Sequence, residues 1–162
     1  MGRSADYTRQ CCAVAASLHI IGEPWTLLII RDAFGGITRF EQWQESLGMA
    51  RNVLAARLKS LVAHGIFEAR PYCERPKRHE YVLTDKGREL RPVIFHLNDW
   101  GSRHIYGGAQ QSVEMVHGAC GHALEPVTYC AQCDGKLESE DVVLKRNQAA
   151  SSLAQLFKAE PA

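Results

Sequence analysis

The sequence has no long hydrophobic run and very little net charge. No apolar stretch among its 162 residues approaches the roughly 18 residues that a membrane-spanning helix needs, and residues 1–12 contain no hydrophobic signal core. With 46% hydrophobic and 23% charged residues, the composition is that of a globular protein that buries a core. We therefore expect a soluble, cytoplasmic protein without a membrane partner, built as one domain or one domain with a small appendage.

Motifs of the common enzyme classes are also missing. The sequence holds no Gly-rich phosphate loop, no G-x-S-x-G motif and no paired His and carboxylate cluster, and its seven histidines are scattered. We therefore expect no enzyme and no organic cofactor. The six cysteines are a modest number for this length; in a reducing compartment they indicate metal ligands, buried apolar residues or redox sensors rather than structural disulfides.

Positive charge is concentrated in the middle of the chain. Residues 50–80 hold seven Lys and Arg residues against three Glu residues, a net charge of +4, whereas residues 112–162 hold four cations against seven acidic residues, a net charge of −3. The total of +1 hides this division. Local positive charge in a near-neutral protein indicates a surface for a polyanion.

The first 64 residues predict a series of short helices. Apolar residues at spacings of three and four predict a helix over 8–21, and the almost wholly apolar stretch 25–34 predicts a short buried helix. A third helix ends at Gly48, and a fourth follows almost at once over 50–64. Two helices joined by so short a Gly-containing turn form a helix-turn-helix signature.

A two-stranded ribbon is predicted next. Residues 66–72 and 79–84 read as strands, with CERPKR (73–78) between them. This connection is longer than a tight hairpin turn, so its cationic tip should project from the domain. A cationic loop on a two-stranded ribbon beside a helix-turn-helix is a wing, and the predicted fold class is therefore α+β, a winged helix-turn-helix.

A long helix is predicted from Thr84 to about Tyr106, with Pro92 kinking it or splitting it in two. Its apolar stripe can pack on the domain's own core or on a second subunit, so it is a candidate dimerisation helix. A Gly-rich linker follows, and the character of the sequence then changes. The predicted domains are the winged helix-turn-helix over 8–106, a small β-rich C-terminal Cys/His module over 113–144, and a weakly ordered tail over 145–162.

A set of residues in the order of these predicted elements matches a known family pattern: Cys12, the run WTLLIIR (25–31), Arg39, Phe40, Val53, Leu54, Arg57, Leu58, Leu61, Gly65, Arg75, Pro76, Glu80, Tyr81, Leu83, Thr84, Gly87, Asp99, Trp100 and Gly101. On these residues, the stretch from about Cys11 to Trp100 resembles the HxlR-type winged helix-turn-helix transcriptional regulators of bacteria, and most closely the subgroup with a cysteine-containing C-terminal extension. The resemblance implies a homodimeric DNA-binding repressor or activator on a palindromic operator, with each recognition helix in a major groove and each wing on the flanking backbone. Many members begin the recognition helix with Ser or Thr and carry Lys two positions later, where this chain has Ala50 and Asn52. The preferred base sequence of those members is therefore not carried over.

The candidate DNA-binding residues lie on the predicted recognition helix, at the start of the preceding helix and on the wing. Arg51 can offer two donors to guanine and Asn52 can pair bidentately with adenine, whereas the wing cations would contact phosphates or the minor groove. The alternatives are a solvated helix face and a solubilising loop. Arg57 could equally make an intramolecular salt bridge. The candidate set is Arg39, Arg51, Asn52, Ala55, Lys59, Arg75, Lys77 and Arg78.

The segment HGACGHALEPVTYCAQC (117–133) holds two pairs of metal-ligand residues. His117 and Cys120 form the first pair, and Cys130 and Cys133 form the second. Two pairs with two intervening residues each suit one structural Zn²⁺ per chain in a tetrahedral site, with His122 competing with His117 for the fourth position. The alternatives are a metal-free β unit with nearby thiols, or a disulfide between Cys120 and one of the other two cysteines.

Cys12 is a further candidate, because the resemblance implies that in some family members the equivalent thiol senses oxidants or electrophiles. The alternative is a buried or interface cysteine. Two other function classes stay open at this point. The winged helix could be a protein–protein interaction module with a zinc-knuckle docking element, or the regulator could respond to redox state, to metal or to an unidentified small-molecule effector.

Overall fold

The computed structural model describes residues 7, 9–109, 111 and 114–145, and its contacts divide them into two compact units. The first unit extends up to Glu89, and the second begins at Leu90. Of the predicted weakly ordered tail over 145–162, all but Lys145 lies outside the described residues. In the described residues no single helix is long and apolar enough to cross a membrane, although the first two helices, bent by 81° to each other, would pass together by length and composition.

The first unit consists of five helices and one two-stranded antiparallel sheet, in the order ααααββα. This arrangement confirms the α+β winged helix-turn-helix fold. The first helix begins at Ala13 rather than at residue 8, because Cys12 has an extended backbone (φ −142°). The elements are α1 (Ala13–Ile21), α2 (Thr26–Phe34), α3 (Phe40–Leu47), α4 (Arg51–Ala63), β1 (Phe67–Glu74), β2 (Lys77–Leu83) and α5 (Asp85–Arg88).

The core of this unit lies where α2, α3 and α4 meet the sheet. Trp43 of α3 is fully buried; its indole N–H donates to the Ile29 carbonyl at 3.1 Å, and its ring lies edge-on to Phe67 with 5.7 Å between centroids. The inner stripe of α4 is buried as its spacing predicts, with Leu54, Leu58 and Leu61 at most 1% exposed. Because this stripe faces the core, the opposite side of α4 is exposed to solvent.

Thr84 connects the sheet to α5. Its hydroxyl donates to the Gly65 carbonyl at 2.6 Å and accepts from the Gly87 N–H at 3.0 Å, so it caps α5. Gly87 lies against Ile66, the residue before β1, because a Cβ placed at Gly87 would clash with the Ile66 carbonyl oxygen.

The predicted long helix is split, as Pro92 indicated. After α5 ends at Arg88, α6 runs over Arg91–Gly101 and continues as a π-helical turn over Ser102–Tyr106, which Gly107 ends in the left-handed region (φ 55°). Pro92 occupies the first turn of α6, where its missing N–H costs no helical hydrogen bond.

The described tail residues do not support the predicted β-rich module. They form two isolated antiparallel bridges, Val116 with Ala123 and Tyr129 with Lys136, and one 3₁₀ turn over Ser139–Asp141. Each bridge closes a short turn that carries one of the predicted ligand pairs.

Candidate nucleic-acid interface

The helix-turn-helix places the first turn of α4 directly after the turn that ends α3. Gly48 is left-handed (φ 62°), a conformation that favours glycine, and Met49 next to it is buried. Ala50 is the N-cap of α4 and makes no side-chain cap bond. With the leucine stripe buried, the four predicted α4 residues are all exposed: Arg51, Asn52, Ala55 and Lys59.

Arg51 is held against α3 by two contacts. One guanidinium nitrogen donates to the Gln44 side-chain oxygen at 2.7 Å, and the guanidinium carbon lies 5.0 Å from the centroid of the Phe40 ring. A cation over an aromatic face is attracted by the ring quadrupole. The side chain therefore has a defined position at the start of α4 although it is exposed.

Arg39 is held against the wing by a similar cation–π contact. It precedes α3, and its guanidinium carbon lies 4.6 Å from the centroid of the Tyr72 ring on β1. The backbone next to it extends the sheet, because the Tyr81 N–H donates to the Thr38 carbonyl at 2.7 Å and Arg39 forms a bridge with Glu80. The start of α3 is thus fixed to both strands of the wing.

The wing is longer than the sequence predicted, and its turn is shorter. The strands pair up to Glu74 and Lys77, so the predicted six-residue loop is wrong; Arg75 and Pro76, joined by a cis peptide bond, form the tip. Cross-strand hydrogen bonding thus continues through residues that composition assigns to a turn. The three predicted wing cations are exposed, and Lys77 lies opposite Glu74 while Arg78 lies opposite Cys73.

Two other cations of the basic segment are paired within the chain. Arg57 lies 3.3 Å from Glu23, which confirms the intramolecular salt bridge left open for it. Arg70 pairs with Glu68 at 2.9 Å, and the hydrogen bond and charge of Glu68 raise the pKa of Arg70. These pairs leave the α4 face and the wing tip as the exposed positive surfaces of the segment.

Sequence reasoning missed three residues of this surface. Phe40, Gln44 and Tyr72 position the two arginines. Phe40 and Gln44 are four residues apart and hence on one face of α3, which is a usable signal. The role of Tyr72 depends on the tertiary fold and has no local signal.

The tail brings each predicted ligand pair together but not the two pairs. The His117 Nδ1 lies 3.2 Å from the Cys120 Sγ. Hydrogen bonds from the backbone N–H groups of Gln132 and Cys133 lower the pKa of Cys130. Across the described residues, no three His, Cys, Asp or Glu side chains are grouped closely enough to hold one metal ion. The four-ligand zinc site stays a prediction.

Cys12 is exposed, as is Cys11, and both precede α1 rather than lying within it. As the N-cap residue of α1, Cys12 makes no side-chain cap bond. Its thiol is accessible in the single chain, which suits either a reactive site or a surface that a second subunit covers.

Comparisons with known proteins agree with this architecture. The family model of HxlR-like helix-turn-helix proteins matches residues 20–108. An uncharacterized HTH-type transcriptional regulator of Mycobacterium tuberculosis is 38% identical over 130 residues, covering 80% of this chain and 82% of that protein. The crystal structure of PA1607, a proposed transcription factor, superposes with a TM-score of 0.76 at 39% identity over 87% of this chain and 99% of that chain. The reduced redox regulator HypR superposes with a TM-score of 0.54 at 27% identity over 59% and 98% of the two chains. The chain belongs to the HxlR-like helix-turn-helix family.

Proposed function

We propose that this chain is a transcriptional regulator that binds duplex DNA as a homodimer, with α4 in the major groove and the wing on the flanking backbone. Two cation–π contacts carry the proposal. Arg51 lies on Phe40 and joins the start of α4 to the start of α3, and Arg39 lies on Tyr72 and joins the start of α3 to the wing. One continuous positive surface fits one face of a duplex.

The first turn of α4 reads bases. Arg51 and Asn52 stand at its exposed N-terminal end, the part of a recognition helix that reaches base edges. Arg51 suits guanine and Asn52 suits adenine. Ala55, one turn later, suits apolar contact with a thymine methyl group, and Lys59 further along suits a phosphate.

The remaining cations hold the backbone. Arg39, Arg75, Lys77 and Arg78 are all exposed in the first unit. Phosphate contacts of this kind fix register and supply affinity without reading sequence.

The homodimer rests on an apolar face of α6. Val93, Leu97 and Trp100 follow one another at spacings of four and three and are 45%, 50% and 53% exposed. An apolar patch of this kind marks a surface for association. A two-fold dimer presents two identical α4 helices, so the operator should be palindromic with half-sites about one helical turn apart.

The direct test is selection of bound duplexes from a random DNA library by purified wild-type protein and by Arg51→Ala, with Lys136→Ala in the tail as the control. The wild type and the control should enrich the same symmetric motif, and Arg51→Ala should lose discrimination at one base pair of each half-site. Failure of the wild type to enrich any duplex would overturn the proposal.

The same result separates this function from a protein–protein interaction module, which needs no positive charge on both α4 and the wing. If the wild-type protein retains no duplex, the result would favour such a module, with the Cys/His tail as its docking element.

Redox response is a second candidate function, supported by the exposed Cys12 and by the similarity to the redox regulator HypR. Oxidation with diamide should then change DNA affinity in the wild type but not in Cys12→Ser. Equal responses of the two proteins would exclude Cys12 as the sensor.

A further inference from the structure

The two ligand-bearing turns of the tail repeat one backbone pattern at an offset of 13 residues. The bridge between Val116 and Ala123 recurs as the bridge between Tyr129 and Lys136. The bond from the Leu124 N–H to the Met115 carbonyl, 2.8 Å, recurs from Leu137 to Thr128 at 2.9 Å.

The repeat includes the interior of each turn. The Gly121 N–H donates to the His117 carbonyl at 2.7 Å, and the Asp134 N–H donates to the Cys130 carbonyl at 2.8 Å. Gly121 and Asp134 both have a left-handed backbone, with φ of 71° and 54°. Aspartate tolerates this conformation better than most residues, so the two turns reach the same shape with different sequences.

In this repeat the ligand residues coincide. His117 occupies the place of Cys130, and Cys120 occupies the place of Cys133, whereas His122 occupies the place of Gly135. The equivalence therefore selects His117, and not His122, as the partner of Cys120.

A shared metal ion accounts for the paired Cys and His residues of both turns, whereas a disulfide within each turn accounts for the pair in only one of them. Cys130 and Cys133 could be oxidised to each other, but the equivalent His117 cannot form a disulfide with Cys120. Zinc accepts imidazole nitrogen and thiolate sulphur in the same tetrahedral site, with ligands supplied in pairs by short turns.

We propose that the two turns close on one structural zinc ion held by His117, Cys120, Cys130 and Cys133. The donor set fits zinc, and each pair has the required spacing within its own turn. Since no three ligands are grouped in the described residues, zinc binding would draw the two turns together, and metal affinity would include the free energy of that ordering.

Metal content of the reduced, tag-free full-length chain, purified without chelator, tests the proposal. We expect about one zinc ion per chain, lost in Cys130→Ser and in His117→Asn. The matched controls His122→Asn and Cys73→Ser should keep it. Circular dichroism of each variant should match the wild type if only the tail is affected.

A second measurement does not depend on how the variants fold. Wild-type protein stripped of metal should bind added Co²⁺ with the intense visible absorption of a tetrahedral thiolate site, and Zn²⁺ should displace it. Full zinc content in Cys130→Ser, loss in His122→Asn with retention in His117→Asn, or failure of the reduced wild type to take up Co²⁺ or Zn²⁺ would each overturn the proposed site.

Discussion

Replacing Arg75 and Arg78 of the wing with Ala should make DNA binding less sensitive to salt. Both side chains are exposed near the tip of the ribbon, and the cross-strand neighbour of Arg78 is the uncharged Cys73. Each phosphate that a cation neutralises contributes about −0.9 to the slope of log K against log salt concentration. Two cations in each of two protomers make four contacts, so the slope should become shallower by about 3.6.

Lys77 should contribute less than either arginine. It lies directly opposite Glu74 in the strand register, and neighbouring residues on one strand project to opposite faces, so Lys77 and Arg78 cannot both lie flat against one duplex. Adding Lys77→Ala to the double variant should therefore reduce the slope by less than the further ~1.8 that two full contacts would give.

Fluorescence anisotropy of a labelled duplex, titrated over a series of salt concentrations, measures this slope. The double variant Lys136→Ala, Lys145→Ala is the matched control, since it removes the same charge from the tail. The wing variant should lose affinity for random and selected duplexes alike, as expected for phosphate contacts. An unchanged slope, or an equal change in the control, would refute the assignment of the wing to the DNA backbone.

The remaining predictions concern the core, the support of Arg39 and the dimer. Trp43→Ala removes a fully buried ring and its hydrogen bond to Ile29, so urea unfolding followed by circular dichroism should show a loss of about 3–5 kcal/mol; a loss below about 1 kcal/mol would contradict the described core. Tyr72→Leu removes the ring beside Arg39 and should weaken DNA binding by at most the ~0.5–1 kcal/mol per protomer of an exposed cation–π contact, with no effect in the Arg39→Ala background if the ring acts through Arg39. Leu97→Glu places a charge on the exposed face of α6 and should shift sedimentation toward the monomer, whereas an unchanged dimer would locate the interface elsewhere.

The sequence predicted the helix-turn-helix well because its signals are local. The α4 stripe of Leu54, Leu58 and Leu61 depends only on the helical period, and Gly48 supplies the left-handed residue that the turn needs. The break before α6 follows in the same way from Pro92.

The sequence did not predict features that depend on particular backbone hydrogen bonds. The strands of the wing extend to Glu74 and Lys77 because backbone bonds across the ribbon continue through residues that favour turns. The first helix starts late because Gln10 bonds back to the Tyr7 carbonyl at 2.9 Å and Cys12 is extended, which apolar periodicity does not register.

For the candidate site, the sequence predicted which residues take part but not how they are placed relative to one another. All eight predicted DNA-binding residues are exposed, and each lies on an element predicted for it or directly beside one. Their relative placement comes from residues that the sequence marked for other reasons or not at all. Phe40 supports Arg51, and Tyr72 supports Arg39. Because Arg39 and Phe40 are adjacent at the start of α3, a shift of α3 would move one member of each pair together, so α3 links the position of α4 to that of the wing. This linkage is the physical basis for treating the wing and α4 as one proposed surface, although no hydrophobic period in the sequence connects them.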